Sequence, residues 1–466
     1  MLPPVPSPAD YGIAPGYGFL PAELPLEVLP DPYYAKWEKV VQNLQALVLS
    51  KGLRSMVDRL PVLSTCHLQT DAEWRRAYVV LVFILHGYVW SGNQPEERIP
   101  PQITVPLFEV CERLEVPPVA TYAGVCLWNY RPIFPDQPAD TLDNLACLQT
   151  FTGSLDEQWF FLVSVAMEAR GADAIPLMVE AITAARQGDS LTVTARLQCL
   201  AQIIDETSSL LQRMYENCDP YVFYNRIRPY LAGSKNMSDA GLPNGLLYDD
   251  GHNPEYRQYG GGSNAQSSLI QFFDIVLGIE HRPTGTSRND KDKPDTKSRN
   301  NFIRDMRTYM PGPHRRFLED IESVSNIRAF VEARKSDSAL CIAYDACLAM
   351  LRVLRDKHIT MVSRYIIVQS RAKPSTGRTN LATATSEKKK MRGTGGTALI
   401  PFLKQARDET CEPAIDAWAR RLLSNPADKA FASLSKVGEQ PDGHLEVVGL
   451  CGTWTAEESE GGICHW

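Results

Sequence analysis

The chain has 466 residues, of which 48 are Lys or Arg and 55 are Asp or Glu, so its formal net charge is −7. Hydrophobic residues make up 44% and charged residues 22%, which is typical of a folded globular protein and excludes a disordered chain. An acidic chain also lacks the dense cationic surface that nucleic-acid binding requires, so this class of partner is excluded.

The sequence carries no signal for export or membrane insertion. The N-terminal residues 1–8 contain prolines and no charged n-region. The longest apolar run, 77–85, is far shorter than the ~20 residues that span a bilayer. The 11 cysteines include no CxxC pair, which argues against a zinc ribbon or a thioredoxin-like site. We therefore expect a reduced, cytoplasmic protein without a membrane partner.

Proline and helical periodicity organise the first third of the chain. Nine of the 33 prolines fall within residues 1–32, which predicts an extended arm over 1–33 that runs along the surface. Apolar residues then recur every three or four positions, which indicates helices. The helices are predicted at 34–60, 72–91 and 139–152, with Pro-rich connections at 100–118 and 132–138.

Helical periodicity is stronger in the rest of the chain, and two-residue alternation is scarce, so the predicted fold is mainly α-helical. Two polar, turn-rich segments, about 281–300 and 370–392, are predicted to be mobile loops. The tail from 424 carries many small and polar residues. Helices are predicted at 157–171, 173–186, 190–216, 265–280, 313–355 and 397–423. The apolar pattern around His358 also predicts a helix over about 338–370, which overlaps the end of 313–355.

One histidine lies within an apolar helical stripe. The stripe recurs every three or four residues and comprises Leu351, Leu354, His358, Val362 and Tyr365. A buried imidazole among aliphatic side chains is either neutral and hydrogen-bonded or a metal ligand. A single protein ligand with apolar walls suits haem iron, because the porphyrin supplies four further nitrogens. Periodicity alone leaves both interpretations open, and the core histidine is the commoner.

Other residues of possible functional importance also allow two interpretations. The segment GTGGT (393–397) is either a small anion site made by backbone N–H groups or a flexible turn. The segment GGGS (260–263) either allows the backbone to approach a flat ligand closely or is a flexible turn. Arg228 lies among aromatic residues, where it either binds a carboxylate or forms a structural ion pair. Phe160 and Ser164 share one helical face, which is usually a core face.

Several short motifs occur in a fixed order along the chain. They are GYVW (87–90), FFLVS (160–164), RPYLAG (228–233), GGS (261–263), MRTYMP (306–311), AYDAC (343–347), LRDKH (354–358) and GTGGT (393–397). With these motifs, the region from about 85 to 410 resembles the indoleamine 2,3-dioxygenase family, and its fungal members more than its animal ones.

The resemblance implies an all-α fold in which a small, mainly helical N-terminal domain caps a large helical domain that binds haem b. It places the small domain at 34–153 and the large domain at 154–423, between the arm and an extension at 424–466. The implied reaction inserts both atoms of O₂ across the indole C2–C3 bond of L-tryptophan and gives N-formylkynurenine. This is the first step of the kynurenine pathway, which leads to NAD biosynthesis. The implied partners are L-tryptophan, O₂ and a reductant, and a monomer is expected.

The resemblance also implies roles for single residues. His358 matches the proximal ligand of the haem iron, and Asp274 and Arg355 match positions near a haem propionate. Arg228 would bind the substrate carboxylate, and Thr397 would close over the amino-acid end of the substrate. No residue is expected to act as an acid or base. The other expected pocket positions are Tyr122, Phe160, Ser164, Phe223 and Tyr224, and the expected haem-edge positions are Gly262, Ser263 and Asn264.

The chain departs from the family's pattern at several positions. Tyr224 stands where the animal enzymes have phenylalanine, and Asn264 stands where a small alanine is usual. The alternative function is a haem protein of the same fold that binds O₂ or a small effector without turning tryptophan over. Such a protein would need neither a carboxylate-binding Arg228 nor the contacts of Phe160 and Thr397.

Overall fold

A computed structural model describes residues 3–284, 302–371, 399–416, 446–449 and 452–455. Its α-helices are α1 (Ala35–Gln42), α2 (Leu44–Leu49), α3 (Leu53–Val57), α4 (Asp71–Trp90), α5 (Pro101–Leu114), α6 (Leu155–Gly171), α7 (Ala174–Gln187), α8 (Ser190–Gln212), α9 (Met214–Asn217), α10 (Pro220–Val222), α11 (Ser268–Val276), α12 (Phe302–Arg307), α13 (Gly312–Val324), α14 (Ile327–Glu332), α15 (Ser338–Val362), α16 (Gln369–Arg371) and α17 (Leu399–Thr410). The predicted all-α fold class is confirmed.

The strands are short and lie between the helices. They are β1 (Arg98–Ile99), β2 (Tyr130–Pro132), β3 (Leu145–Cys147), β4 (Leu246–Tyr248), β5 (Glu255–Arg257), β6 (Glu446–Gly449) and β7 (Gly452–Thr455). β4 pairs in parallel with β1 and antiparallel with β5, while β2–β3 and β6–β7 are antiparallel pairs. In register, Arg98 lies opposite Leu247 and Tyr130 lies opposite Cys147.

The centre of the fold is the packing of α15 against α8. The side chain of Asp337 caps α15 by accepting a hydrogen bond from the backbone N–H of Leu340, and that of Asp189 caps α8 in the same way through Thr192. α8 buries Val193, Leu197, Leu200, Ile204 and Leu211, which recur every three to seven residues along one face. α6 and α7 also pack against α8, and α17 packs against α15.

Three π-helical segments interrupt the regular helices within the described residues. They are Ala123–Leu127, Phe223–Ile227 and Ser363–Val368. A π-helical turn widens the backbone locally and is frequent at functional sites. Each of these three segments contributes residues to the cavity described below.

Two predictions about the first third of the chain are wrong. Residues 101–114 form helix α5 instead of a connection, because Pro101 occupies the first turn, where a proline costs no hydrogen bond, and Ile103 and Leu107 are buried. Residues 139–152 do not form a helix. They contain a 3₁₀ turn and strand β3, which is held by its pairing with β2, a contact that sequence periodicity does not reveal.

The N-terminal arm is more deeply embedded than predicted. Ile13, Phe19 and Leu20 are buried, and the Phe19 ring packs against Phe272 of α11 and His314 of α13. The arm therefore contributes to the core and does not simply cover the surface.

Several predicted helices are shorter or divided in the structure. Residues 34–60 form α1, α2 and α3, and residues 313–355 span α13, α14 and most of α15. The segment predicted to be a mobile loop from residue 281 begins with His281, whose side chain is only 7% exposed and whose ring lies between two carboxylates. The remainder of that loop beyond 284, most of the segment at 370–392, and most of the C-terminal extension lie outside the described residues.

Most of the buried apolar residues form one cluster from Ile13 to Ala414, which crosses the expected domain boundary at 153/154, and a small second cluster contains Val119, Met306 and Tyr309. The two-domain division therefore stays a prediction.

Among the described residues, no helix combines the length and hydropathy needed to cross a bilayer.

Candidate active site

Two adjoining cavities of about 150 and 110 Å³ lie beside α15. Both are lined mostly by apolar side chains, and they share a common set of wall residues. The shared residues are Tyr122, Ser164, Leu211, Asn264, Ala265, His358, Phe402 and Leu403. We call them the first and the second cavity.

His358 lines both cavities, as the apolar stripe of its helix predicts. Burial, and secondarily the charge of Arg355, lower the pKa of His358 to about 4, so the ring is neutral at physiological pH. It makes no hydrogen bond to any other described residue. A neutral imidazole in apolar surroundings has a nitrogen lone pair available for a metal.

The side chains around His358 suit haem iron better than a metal ion whose ligands all come from the protein. Within the described residues, no group of three or more His, Cys, Asp or Glu side chains could hold a metal ion. Haem suits this setting because its porphyrin supplies four nitrogen ligands of its own. The apolar side chains around His358 include Met361, Val362 and Ile366 one and two turns further along.

A buried ion pair lies at the second cavity. Nη2 of Arg355 donates to both carboxylate oxygens of Asp274, at 2.6 and 2.7 Å. Burial raises the pKa of Asp274, but the charges of Arg355 and His281 outweigh it and hold this pKa below its usual value. Nη1 of Arg355 also donates to the carbonyl oxygen of Ala406, so the pair connects α11, α15 and α17.

Aromatic side chains and one arginine also line the first cavity. The ring centroids of Phe160 and Phe223 are 4.6 Å apart, and Phe223 also packs against Tyr365. Arg228 follows the π-helical segment of Phe223, and its guanidinium carbon lies 5.5 Å from the ring centroid of Tyr224. Burial lowers the pKa of Arg228, which indicates a poorly solvated cation.

His86 holds the Arg228 turn against the Tyr122 segment. Its Nδ1–H donates to the carbonyl oxygen of Tyr230 at 2.6 Å, and its Nε2 accepts from the backbone N–H of Ala120 at 2.9 Å. Burial lowers the pKa of His86 to about 4, so this neutral tautomer persists. Sequence reasoning missed this role because it depends on two contacts distant in sequence.

The glycines at 260–262 serve a purpose that neither sequence interpretation included. A Cβ on Gly261 would lie 2.0 Å from the carbonyl oxygen of Leu231, and one on Gly233 would lie 2.4 Å from the backbone nitrogen of Gly261. The two backbone segments therefore pack directly against each other. Gly262, Ser263 and Asn264 follow this contact and line the first cavity.

Of the expected site residues that the structure describes, all but Tyr224 line at least one of the two cavities. Tyr122, Phe160, Ser164, Phe223, Arg228, Gly262, Ser263, Asn264 and His358 line the first cavity, and Asp274 and Arg355 line the second. Tyr224 lies beside Arg228 and does not line either cavity. Thr397 and the GTGGT segment lie outside the described residues.

Several wall residues were missed by the sequence analysis. Leu211 and Met214 come from the end of α8 and from α9, and Leu399, Phe402 and Leu403 come from α17. Glu168 and Met167 lie one turn after Ser164 on α6, so extending the face of Phe160 and Ser164 by one turn would have found them.

Most of the chain also matches known proteins. The sequence profile described as indoleamine 2,3-dioxygenase matches residues 7–413. An indoleamine 2,3-dioxygenase of Penicillium citrinum is 42% identical over 408 residues, covering 86% of this chain and 87% of that protein. The corresponding enzyme of Saccharomyces cerevisiae is 40% identical over 434 residues, covering 88% and 94%.

A third relative is named for a different substrate. A 6-hydroxytryptophan 2,3-dioxygenase of Fusarium equiseti is 38% identical over 399 residues, covering 85% of this chain and 95% of that protein. With the profile match over most of the chain and this degree of identity, the chain belongs to the indoleamine 2,3-dioxygenase family.

Proposed function

We propose that this protein is a haem-dependent dioxygenase that cleaves the C2–C3 bond of L-tryptophan with O₂ and gives N-formylkynurenine. One observation carries the proposal. A single cavity brings a neutral imidazole without a hydrogen-bond partner among the described residues, His358, together with the aromatic pair Phe160–Phe223 and the guanidinium of Arg228.

Three sets of residues would hold the cofactor. His358 would bind the iron, the Asp274–Arg355 pair would lie near a propionate, and Gly262, Ser263 and Asn264 would border the macrocycle. When bound, haem supplies the iron centre at which O₂ is activated for reaction with the indole ring.

The chain itself binds and orients the amino acid. Phe160 and Phe223 offer apolar faces to the indole ring, and Arg228 offers paired N–H donors to the carboxylate in surroundings that exclude water. No Asp or Glu is among the described residues that line the first cavity. The protein therefore contributes orientation and dehydration, and none of these residues is assigned as a general base.

A haem protein that only carries O₂ fits the cavity less well. An O₂ carrier needs no arginine to bind a carboxylate, whereas an amino-acid substrate has a carboxylate that Arg228 can bind.

The reductant, the monomeric state, the cytoplasmic location and the role in the kynurenine pathway stay predictions.

The test compares L-tryptophan with tryptamine, which lacks the carboxylate. We expect Arg228→Ala to weaken the apparent binding of L-tryptophan by about 2 kcal/mol or more, seen as a raised KM, and to leave tryptamine turnover nearly unchanged. Arg228→Lys, which keeps the charge and loses the bidentate geometry, should lie between wild type and Arg228→Ala.

The haem absorption spectrum of both variants serves as the control and should equal that of the wild type. An unchanged KM for L-tryptophan in Arg228→Ala, or equal losses for both substrates, would contradict the carboxylate contact.

A further inference from the structure

Glu168 is a buried carboxyl group at the second cavity that the proposed function does not use. It lies on α6 one turn beyond Ser164 and two turns beyond Phe160, and its residue is 1% exposed. It lines the second cavity, which also contains His358. No described cation pairs with it.

One oxygen of Glu168 accepts two hydrogen bonds. Oε1 accepts from the hydroxyl of Tyr122 at 3.0 Å and from the hydroxyl of Ser267 at 2.6 Å. Burial, followed by the charge of Glu168, raises the pKa of Tyr122 well above its usual value, so this hydroxyl stays protonated and donates. The other oxygen, Oε2, is buried and has no hydrogen-bond partner among the described residues.

Both donors belong to segments that build the cavity walls. Tyr122 precedes the π-helical segment Ala123–Leu127 and lines both cavities. Ser267 is the N-cap of α11, the helix that carries Asp274. Between them, Oε1 of Gln266 accepts from the backbone N–H of Tyr122, and its Nε2 donates to the carbonyl oxygen of Gly261. Through its Oε1 atom, Glu168 thus connects α6 with the wall segments of Tyr122 and Ser267.

Burying a carboxyl group at this position costs free energy. Desolvation raises the pKa of Glu168 to about 7 despite the two hydroxyl donors, so burial is only partly compensated. An apolar side chain would pack there without this cost. The carboxyl oxygen therefore acts by fixing its two donors, not by stabilising the core.

We infer that Glu168 is a positioning residue of the proposed reaction. Through its Oε1 atom it fixes the ring of Tyr122 as the shared wall of the two cavities and thereby sets where the indole ring lies relative to the cofactor. This role rests on the proposed function. Loss of the contact leaves Arg228 and the aromatic pair able to bind tryptophan but lets the bound ring leave its reactive orientation.

The test separates orientation from binding. Glu168→Leu removes the acceptor, and we expect it to lower kcat by ~10- to 100-fold while the KM for L-tryptophan changes little. Glu168→Gln keeps a carbonyl oxygen that can accept both hydroxyl donors and should restore kcat close to the wild-type value. The dissociation constant of L-tryptophan, measured by calorimetry on the haem-loaded ferric protein, and the haem content should be unchanged in both variants.

Glu157 is a matched control on the same helix. Its carboxylate is also buried, but it accepts from the backbone N–H groups of Phe151 and Thr152 and lines neither cavity. Glu157→Gln should lower the unfolding temperature without separating kcat from KM.

Each outcome decides the inference. A kcat in Glu168→Leu equal to that of the wild type, or a Glu168→Gln variant as impaired as Glu168→Leu, would overturn it. If Glu168→Leu does not fold, Tyr122→Phe, which keeps the ring and removes the donor, must lower kcat without weakening tryptophan binding, and a wild-type kcat there would overturn the inference. A wild-type protein without turnover of L-tryptophan would instead contradict the proposed function, and this role with it.

Discussion

Arg355 on α15 and Asp274 on α11 form an ion pair across 81 residues of sequence, with both carboxylate oxygens within 2.7 Å of the same guanidinium nitrogen. Both side chains are at most 10% exposed, and both line the second cavity. The pair therefore connects α15, the helix of His358, with α11, and its loss bears on the stability of the fold.

Removing one partner of this pair should be strongly destabilising. Asp274→Ala leaves the charge of Arg355 buried without its partner, and we expect the free energy of unfolding to fall by ~3–5 kcal/mol. Chemical denaturation of the haem-free protein measures this loss. Glu180→Ala removes a partner of the more exposed Arg196–Glu180 pair and should cost less than about 1 kcal/mol. Equal losses in the two variants would contradict the account of the buried pair.

His281 should make stability depend on pH. Its Nε2 lies 3.0 Å from an oxygen of Asp274, and its Nδ1 lies 2.7 Å from one of Glu409, so the ring needs both protons. Burial opposes the charge, but these carboxylates raise the pKa of His281 above 6.5 even though Arg355 is close by.

Because the folded-state pKa is the higher one, the contribution of His281 is fully present below about pH 6.5 and is lost as the pH rises through the folded-state value. Asp274 acts in the opposite direction, since its lowered pKa stabilises the fold above its unfolded-state value of 3.8. We expect the stability difference between wild type and His281→Gln to shrink from pH 6 to about pH 9 in denaturation experiments. A difference that grows over this range would contradict the charged ring.

His358→Ala should abolish or strongly weaken haem binding while the helices persist. The ring lines both cavities, and within the described residues no cluster of acidic, His or Cys side chains could hold a metal in its place. Haem content and far-ultraviolet circular dichroism measure the two properties, and added imidazole should partly restore haem binding. His67→Ala, at a half-exposed histidine beside Asp31, is the control and should keep its haem. Normal haem content in His358→Ala would remove this residue from the cofactor site.

Gly261→Ala should disturb the backbone packing next to the residues that line the first cavity. Its Cβ would lie 2.0 Å from the carbonyl oxygen of Leu231, so the backbone segments must separate, and we expect a loss of ~1–3 kcal/mol in unfolding free energy. The adjacent Gly262→Ala meets its nearest atom, the carbonyl oxygen of Ala120, at 3.3 Å and should cost less. If both variants are as stable as the wild type, the close packing of the two segments is not required.

Some of the site could be predicted from the sequence because it follows local rules. The apolar stripe of α15 placed His358 toward the core, and the shared face of Phe160 and Ser164 is a cavity wall. The long helices α4, α6 and α7 match their predicted ranges closely. These features depend on periodicity within one helix, which a single sequence displays.

Other features depend on contacts between distant segments. The partner of Asp274, the bridge made by His86 and the packing of Gly261 against Leu231 join residues that no local pattern relates. The failed prediction for 139–152 has the same cause, since β3 exists through its pairing with β2. The resemblance to a family supplied the expected roles of Asp274 and Arg355 but not the role proposed for Glu168.

The most direct test of the central claim is turnover under labelled oxygen. The purified protein, loaded with haem and reduced, would be given L-tryptophan in an atmosphere of ¹⁸O₂, and the product would be analysed by mass spectrometry. We predict N-formylkynurenine that carries two ¹⁸O atoms from one O₂ molecule. Stable binding of O₂ without this product, or a product with a single ¹⁸O atom, would contradict a tryptophan dioxygenase.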